Sequence, residues 1–144
     1  MVIFHFNGFN CRQPGSCPTG FHYYFDYVAE TSFTFETVDS LLATNSSCEI
    51  TRGGSGDYRA FFGINNFLEL PDINSAIVTN TMEFITDRVS ACTTFQGLDY
   101  VSFLYVDFWS QGQVMEFVLN YNTNLGWKNV TDLSESSSTS DIAP

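Results

Sequence analysis

The chain has 144 residues, enough for about one domain. Its hydrophobic fraction is 44% and its aromatic fraction 17%; that much apolar area asks for burial and excludes global disorder. Sixteen acids face five bases, a net charge of -11, which argues against binding DNA, RNA or an anionic membrane by bulk electrostatics, and no apolar run is long enough to cross a bilayer.

Residues 2 to 6 form an apolar run of β-formers that ends at the turn-prone Asn7-Gly8. Residues 7 to 20, rich in Gly, Pro and Cys, read as loop, and 21 to 28 as a second strand or aromatic-lined segment. Phe35, Val38, Leu41 and Leu42 have helical spacing over 34 to 43. Residues 44 to 57 are polar and glycine-rich and read as loop; 58 to 68 read as a strand. After Pro71, the set Val78, Met82, Ile85, Val89 and Cys92 steps by 4, 3, 4 and 3 and predicts the best amphipathic helix, with Asn74 as its N-cap. Residues 100 to 108 form the clearest strand. Ser110 to Gln113 offers a capping box, and Val114, Phe117, Val118 and Tyr121 continue as a helix. Residues 132 to 144, rich in Ser and Asp, are expected to be disordered.

Strands and helices therefore alternate, and the strands look buried on both faces. That is the pattern of βα units on a parallel sheet, an α/β fold. A closed eight-stranded barrel needs ~250 residues, so three or so units make a partial TIM-like (β/α) barrel, about half of the eight. Residues 1 to 131 would form that half.

Cys11, Cys17, Cys48 and Cys92 permit two disulfides in three pairings. The expected pairing joins Cys48, which precedes a strand, to Cys92, which closes the helix after it, and Cys11 to Cys17 around their local loop. Sequons stand at Asn45 and Asn129. With the cysteines and the acidic balance, they point to an extracellular or secretory compartment. The opening Met-Val-Ile-Phe-His-Phe has no basic region and no cleavage site, so the natural N-terminus is expected upstream.

Functional residues of βα folds cluster where strands end. Asp107 sits there, on a strand whose one face carries Val101, Phe103 and Tyr105. It reads as a carboxylate that orients a histidine or holds a substrate hydroxyl, or else as a solvated acid or helix cap. His22, Tyr23, Tyr24, Asp26, Tyr27 and Glu30 interleave rings with acids, which suits a polyol, or equally an aromatic core strand. Arg52 precedes Gly53-Gly54-Ser55-Gly56, an anion-cradling pattern without the Gly-Lys-Ser/Thr of a P-loop, and a flexible connector accounts for it more simply. His5, Cys11, Cys17 and His22 match no compact zinc spacing, and no Gly-x-Ser-x-Gly elbow is present. No cofactor is expected, and nothing in the sequence supports calcium.

The ordered segments VIFHFNG, FHYYFDYVAET, SCEITRGGS, FFGINNFLELP, a helix ending at Cys92, and YVSFLYVDFWSQG resemble the later half of the secreted phosphatidylinositol-specific phospholipase C X-domain-like phosphodiesterases, over about residues 1 to 121. The resemblance implies a TIM-like barrel, often irregular, that cleaves a phosphodiester with two histidines as general base and acid, an arginine on the phosphate, and a carboxylate that orients one histidine. Asp107 resembles that carboxylate. Asp26 with Tyr27 or Tyr24 resembles the inositol-binding acid and aromatic, and Arg52 falls in a family-like stretch. The sequence departs from the family in lacking the earlier half with its two histidines. His5 and His22 do not match their motifs, and Asn65-Asn66-Phe67 stands where many relatives have Asn-His-Phe.

Two hypotheses follow. The chain is a C-terminal portion of a phosphodiesterase without the catalytic pair, its substrate a phosphodiester or polyol. Alternatively it is a non-catalytic extracellular binding or structural module on the same half-barrel. A glycosidase using Asp26 and Asp107 is a weaker third. The open edges of a half-barrel predict self-association.

Overall fold

The computed structural model describes residues 3–5, 18–53 and 60–126. Two short strands, β1 (Ile3–His5) and β2 (Phe21–Tyr23), pair in parallel. A 3-10 turn (Tyr24–Asp26) follows, then β3 (Val28–Thr31), α1 (Val38–Leu42), α2 (Thr44–Cys48) and β4 (Ile50–Arg52). The rest is β5 (Phe61–Asn65), α3 (Ile73–Thr79), α4 (Met82–Gln96), β6 (Phe103–Tyr105) and α5 (Val114–Asn124).

The main sheet has the order β4-β3-β5-β6. β3, β5 and β6 run parallel, with Glu30 opposite Gly63 and Gly63 opposite Phe103. The α/β class holds, but the all-parallel expectation does not. β4, inside the stretch read as loop, pairs antiparallel with β3 and places Arg52 opposite Glu30. Its exposed Thr51 and three-residue length hide it from a periodicity reading. The stretch 21 to 28, read as a strand or an aromatic-lined segment, is β2 and the start of β3 with the 3-10 turn between them.

Strand alternation sends Phe62, Ile64 and Leu104 to one face. There they pack with Ile85, Val89 and Cys92 of α4 and with Val114 and Phe117 of α5. A smaller cluster joins Phe35, Leu41 and Phe84. The long helix expected from Asn74 to Cys92 is two helices. α3 is capped by Asp72, not Asn74, and α4 restarts at Thr81, whose side chain accepts from the Phe84 N–H. Gly97, at φ 66°, closes α4 in the left-handed conformation that glycine adopts without a Cβ clash. The capping box at Ser110–Gln113 does not form. Gln113 accepts from the Met82 N–H at 3.0 Å and donates to Glu116 at 3.1 Å, so it ties α5 to α4 instead.

Cys48 and Cys92 form a disulfide, as their positions predict. It clips α2 to α4 across 44 residues of sequence, a link typically worth roughly 2–4 kcal/mol. Cys11, Cys17, Asn129 and the Ser/Asp-rich tail lie outside the described residues. Among the described residues, no helix is long and apolar enough to cross a membrane.

Candidate functional site

Three parallel strands bring their C-terminal ends to one side of the sheet. There Asn66 follows β5 and Asp107 follows β6. The Asn66 N–H donates to the Tyr105 carbonyl at 2.8 Å, which continues the strand pairing to the edge of the site. Asp107 is half-buried. With Asn66, Asp72 and Thr79 it lines a cavity of about 10 Å³, room for roughly one water. Asn66 is fully buried; its amide donates to the Thr79 carbonyl at 2.9 Å, and its Oδ1 has no partner among the described residues.

Asn80 holds the loop that carries Asp107. Its side-chain amide donates to the Asp107 carbonyl at 2.9 Å and to the Phe108 carbonyl at 3.3 Å, and its own carbonyl accepts from the Gln113 N–H at 2.8 Å. The loop turns sharply at Phe108, φ 47°, a left-handed conformation that costs a non-glycine residue of order 1 kcal/mol. Gly112 lies so close to Asn80 that a Cβ there would sit 2.5 Å from the Asn80 carbonyl.

The sheet face away from α4 and α5 carries a second cluster. Glu30, 2% exposed, forms an ion pair with Arg52 at 2.5 Å. The Arg52 guanidinium lies 4.0 Å from the Phe33 ring centroid and 5.3 Å from that of Phe25. Gly53, at φ 70°, lets the chain after Arg52 pass against β3, where a Cβ would sit 1.9 Å from the Val28 carbonyl. The Tyr105 ring lies over Gly63, beside Glu30. Burial pushes its phenol up to about 12.

The predicted residues are thus spread over the sheet. Glu30, Gly63 and Phe103 share one level across β3, β5 and β6. Asp26 lies four residues before that level and Asp107 four residues after it, so the two acids occupy opposite ends of the sheet and are not a pair around one bond. Asp26 is exposed in the 3-10 turn; Tyr24 is buried beneath it and packs on Phe25 at 5.1 Å. Tyr27 meets His22, with its hydroxyl 3.1 Å from Nδ1. Arg52 is engaged by Glu30 and lies away from Asp107. His5 belongs to β1, and no group of three or more His, Cys, Asp or Glu able to hold a metal occurs among the described residues.

Three contributors escaped the sequence reading: Asn80, Arg88, and Glu30 as the partner of Arg52. Asn80-Thr81 carried a signal, since a cap-forming threonine interrupts the helical pattern there. No family model matches the chain, and comparison with curated proteins and with solved structures gives no match either.

Proposed function

We propose that the chain is a C-terminal portion of a phospholipase C-like phosphoric diester hydrolase, built on part of a TIM-like barrel. In this reading Asp107 orients a histidine supplied from outside these 144 residues and stabilises it when protonated. The single observation that carries the reading is the setting of Asp107, half-buried at the C-terminal end of a parallel strand, on a loop pinned by Asn80. A carboxylate held in place and partly shielded from water can fix one tautomer of an imidazole, and orienting acids of this kind contribute at least ~10²-fold to turnover. The open β6 edge and the polar sheet face around Glu30 and Tyr105 suit a surface that further strands complete. The Cys48–Cys92 disulfide and the exposed Asn45 suit an extracellular or secretory setting.

A second reading, a non-catalytic extracellular module, is favoured by Arg52. Its charge is already met by Glu30, which leaves less for a phosphate. One titration separates the two. The full chain is followed by NMR as myo-inositol 1-phosphate is added, and phosphatidylinositol vesicles are assayed in parallel. The hydrolase reading expects millimolar binding that perturbs Asp107 and its loop, is weakened by Asp107→Asn, and brings no turnover by the chain alone. Binding that ignores Asp107, or none, favours the module. Turnover by the chain alone overturns the assignment of acid and base to residues outside it.

A further inference from the structure

Among the described residues, Arg88 is a buried cation without a carboxylate partner. It is 1% exposed, on the stripe of α4 that also buries Ile85, Val89 and Cys92. Its Nη1 donates to the Leu41 carbonyl at 2.5 Å and to Ser47 Oγ at 2.7 Å. Its Nη2 donates to the carbonyls of Ser47 at 3.1 Å and Asn65 at 3.2 Å. Nη1 also lies 3.5 Å from Sγ of Cys92, one helical turn on, and Cys92 is bonded to Cys48, the neighbour of Ser47. The guanidinium and both sulfurs are thus enclosed together.

We infer that Arg88 favours the thiolate of Cys92 whenever this disulfide is open, so that Cys92 is the attacking thiol and Cys48 the resolving thiol in thiol–disulfide exchange at this site. A thiol beside a guanidinium loses its proton more readily, and the thiolate is the reacting species. The other residues of the cluster that encloses the sulfurs bring no charge, and their apolar burial opposes ionisation, so Arg88 is the group that offsets it. Ile50 of β4, Phe62 and Ile64 of β5, and Val114 and Phe117 of α5 are apolar. Tyr121 of α5, at the edge of the cluster, has its hydroxyl hydrogen-bonded by the Val101 N–H at 3.0 Å. Glu49 and Asp87, beside Cys48 and Arg88 in sequence, are exposed to solvent.

With a small disulfide such as oxidised glutathione, the Cys92 thiolate attacks one glutathione sulfur, the glutathione S–S bond breaks, and one glutathione leaves as a thiolate that takes a proton from water. Cys48 gives its proton to water and attacks Cys92 Sγ. The Cys48–Cys92 bond forms, the Cys92–glutathione bond breaks, and the second glutathione leaves as a thiolate that is protonated in turn. One disulfide is reduced to two thiols as two protein thiols become one disulfide.

The test uses the full chain, reduced with a dithiol, in two measurements resolved by peptide mapping. In the wild type at pH 6.5, brief iodoacetamide treatment should label Cys92 several-fold faster than Cys48. On adding oxidised glutathione, the mixed disulfide should form first on Cys92 and resolve to the Cys48–Cys92 bond. In Arg88→Met it should form at least tenfold more slowly at pH 6.5, with the gap narrowing towards pH 9; Arg88→Lys, which keeps the charge, should fall in between. Equal labelling of the two cysteines in the wild type, or no labelling of either, overturns the inference, including the case where the reduced chain unfolds. So does glutathione that arrives first on Cys48, or mixed-disulfide formation by Arg88→Met at the wild-type rate. The labelling result needs no variant and no phosphodiesterase activity, so it stands apart from the hydrolase reading.

Discussion

Arg52 and Arg88 lie on opposite faces of the sheet and solve the same problem in different ways. Arg52, on the open face, meets a carboxylate, Glu30, and two aromatic rings. Arg88, on the helix face, has no acid within hydrogen-bonding reach among the described residues. Its charge is balanced by carbonyl oxygens from the last turns of α1 and α2 and from the end of β5, where backbone dipoles present their negative ends. Burial still pushes its guanidinium down to about 10. The first arrangement is a local pair that water can reach, since the Arg52 side chain is 37% exposed. The second ties three other chain segments to one side chain, so the two should fail differently.

The largest effect is expected at Arg88. Arg88→Met keeps much of the volume but leaves the carbonyls of Leu41, Ser47 and Asn65 without donors in a dry site. The loss should be about 3–5 kcal/mol, the range for stranding partners in a buried charged network. Urea unfolding of the oxidised chain measures it. A loss below about 1 kcal/mol would mean that water replaces the guanidinium, and the contrast with Arg52 would collapse.

A smaller effect is expected at Arg52. Arg52→Met strands the buried Glu30 carboxylate, but water enters from the exposed side of the pair, which limits the loss to about 1–2 kcal/mol. Pairing with Glu30→Gln should recover most of it, because the stranded charge then disappears. A double-mutant cycle reads the coupling directly. No recovery would show that the stacking of Arg52 on Phe33, and not the ion pair, holds β4 to β3.

This contrast also explains how much of the fold and site was legible. Cys48–Cys92 was legible because a strand and the helix after it bracket the two positions. Asp107 drew attention because an acid at the end of an apolar strand must have a reason, although its placement on the sheet tests no chemistry. The α/β alternation was readable, yet β4 and α2 were not, because the polar, short stretch around Cys48 carries no period. Arg88 could have been found. It stands three residues after Ile85 and four before Cys92, on the stripe that predicted α4, where a cation is out of place. Glu30–Arg52 could not have been found, because the antiparallel register of β4 alone brings those residues together across 22 positions.

The smallest effect, and the sharpest test of the open face, concerns Tyr105. Its hydroxyl is buried with no partner among the described residues, beside the Glu30–Arg52 pair. Tyr105→Phe removes a group that gains nothing from folding, so at pH 7 stability should hold or rise by up to about 1 kcal/mol. The alkaline range is more telling. In the unfolded chain a phenol loses its proton near 10, whereas burial holds Tyr105 protonated up to about 12. Between those values the folded state binds more protons than the unfolded state, so this group's contribution is complete below pH 10 and falls as pH rises towards 12. Arg88 acts in the opposite sense, because burial lowers its guanidinium from the usual arginine range to about 10 and the unfolded state there binds more protons. Comparing wild type and Tyr105→Phe at each pH cancels Arg88 and the other tyrosines. The difference should be the same at pH 9 as at pH 7 and grow in favour of the variant by pH 11. Parallel curves across that range would mean that the phenol ionises as freely in the folded protein as in the unfolded chain. The face around Glu30 would then be wet, and the division into an open, solvated side and a dry, carbonyl-lined side would extend across the whole sheet rather than stop at Arg52.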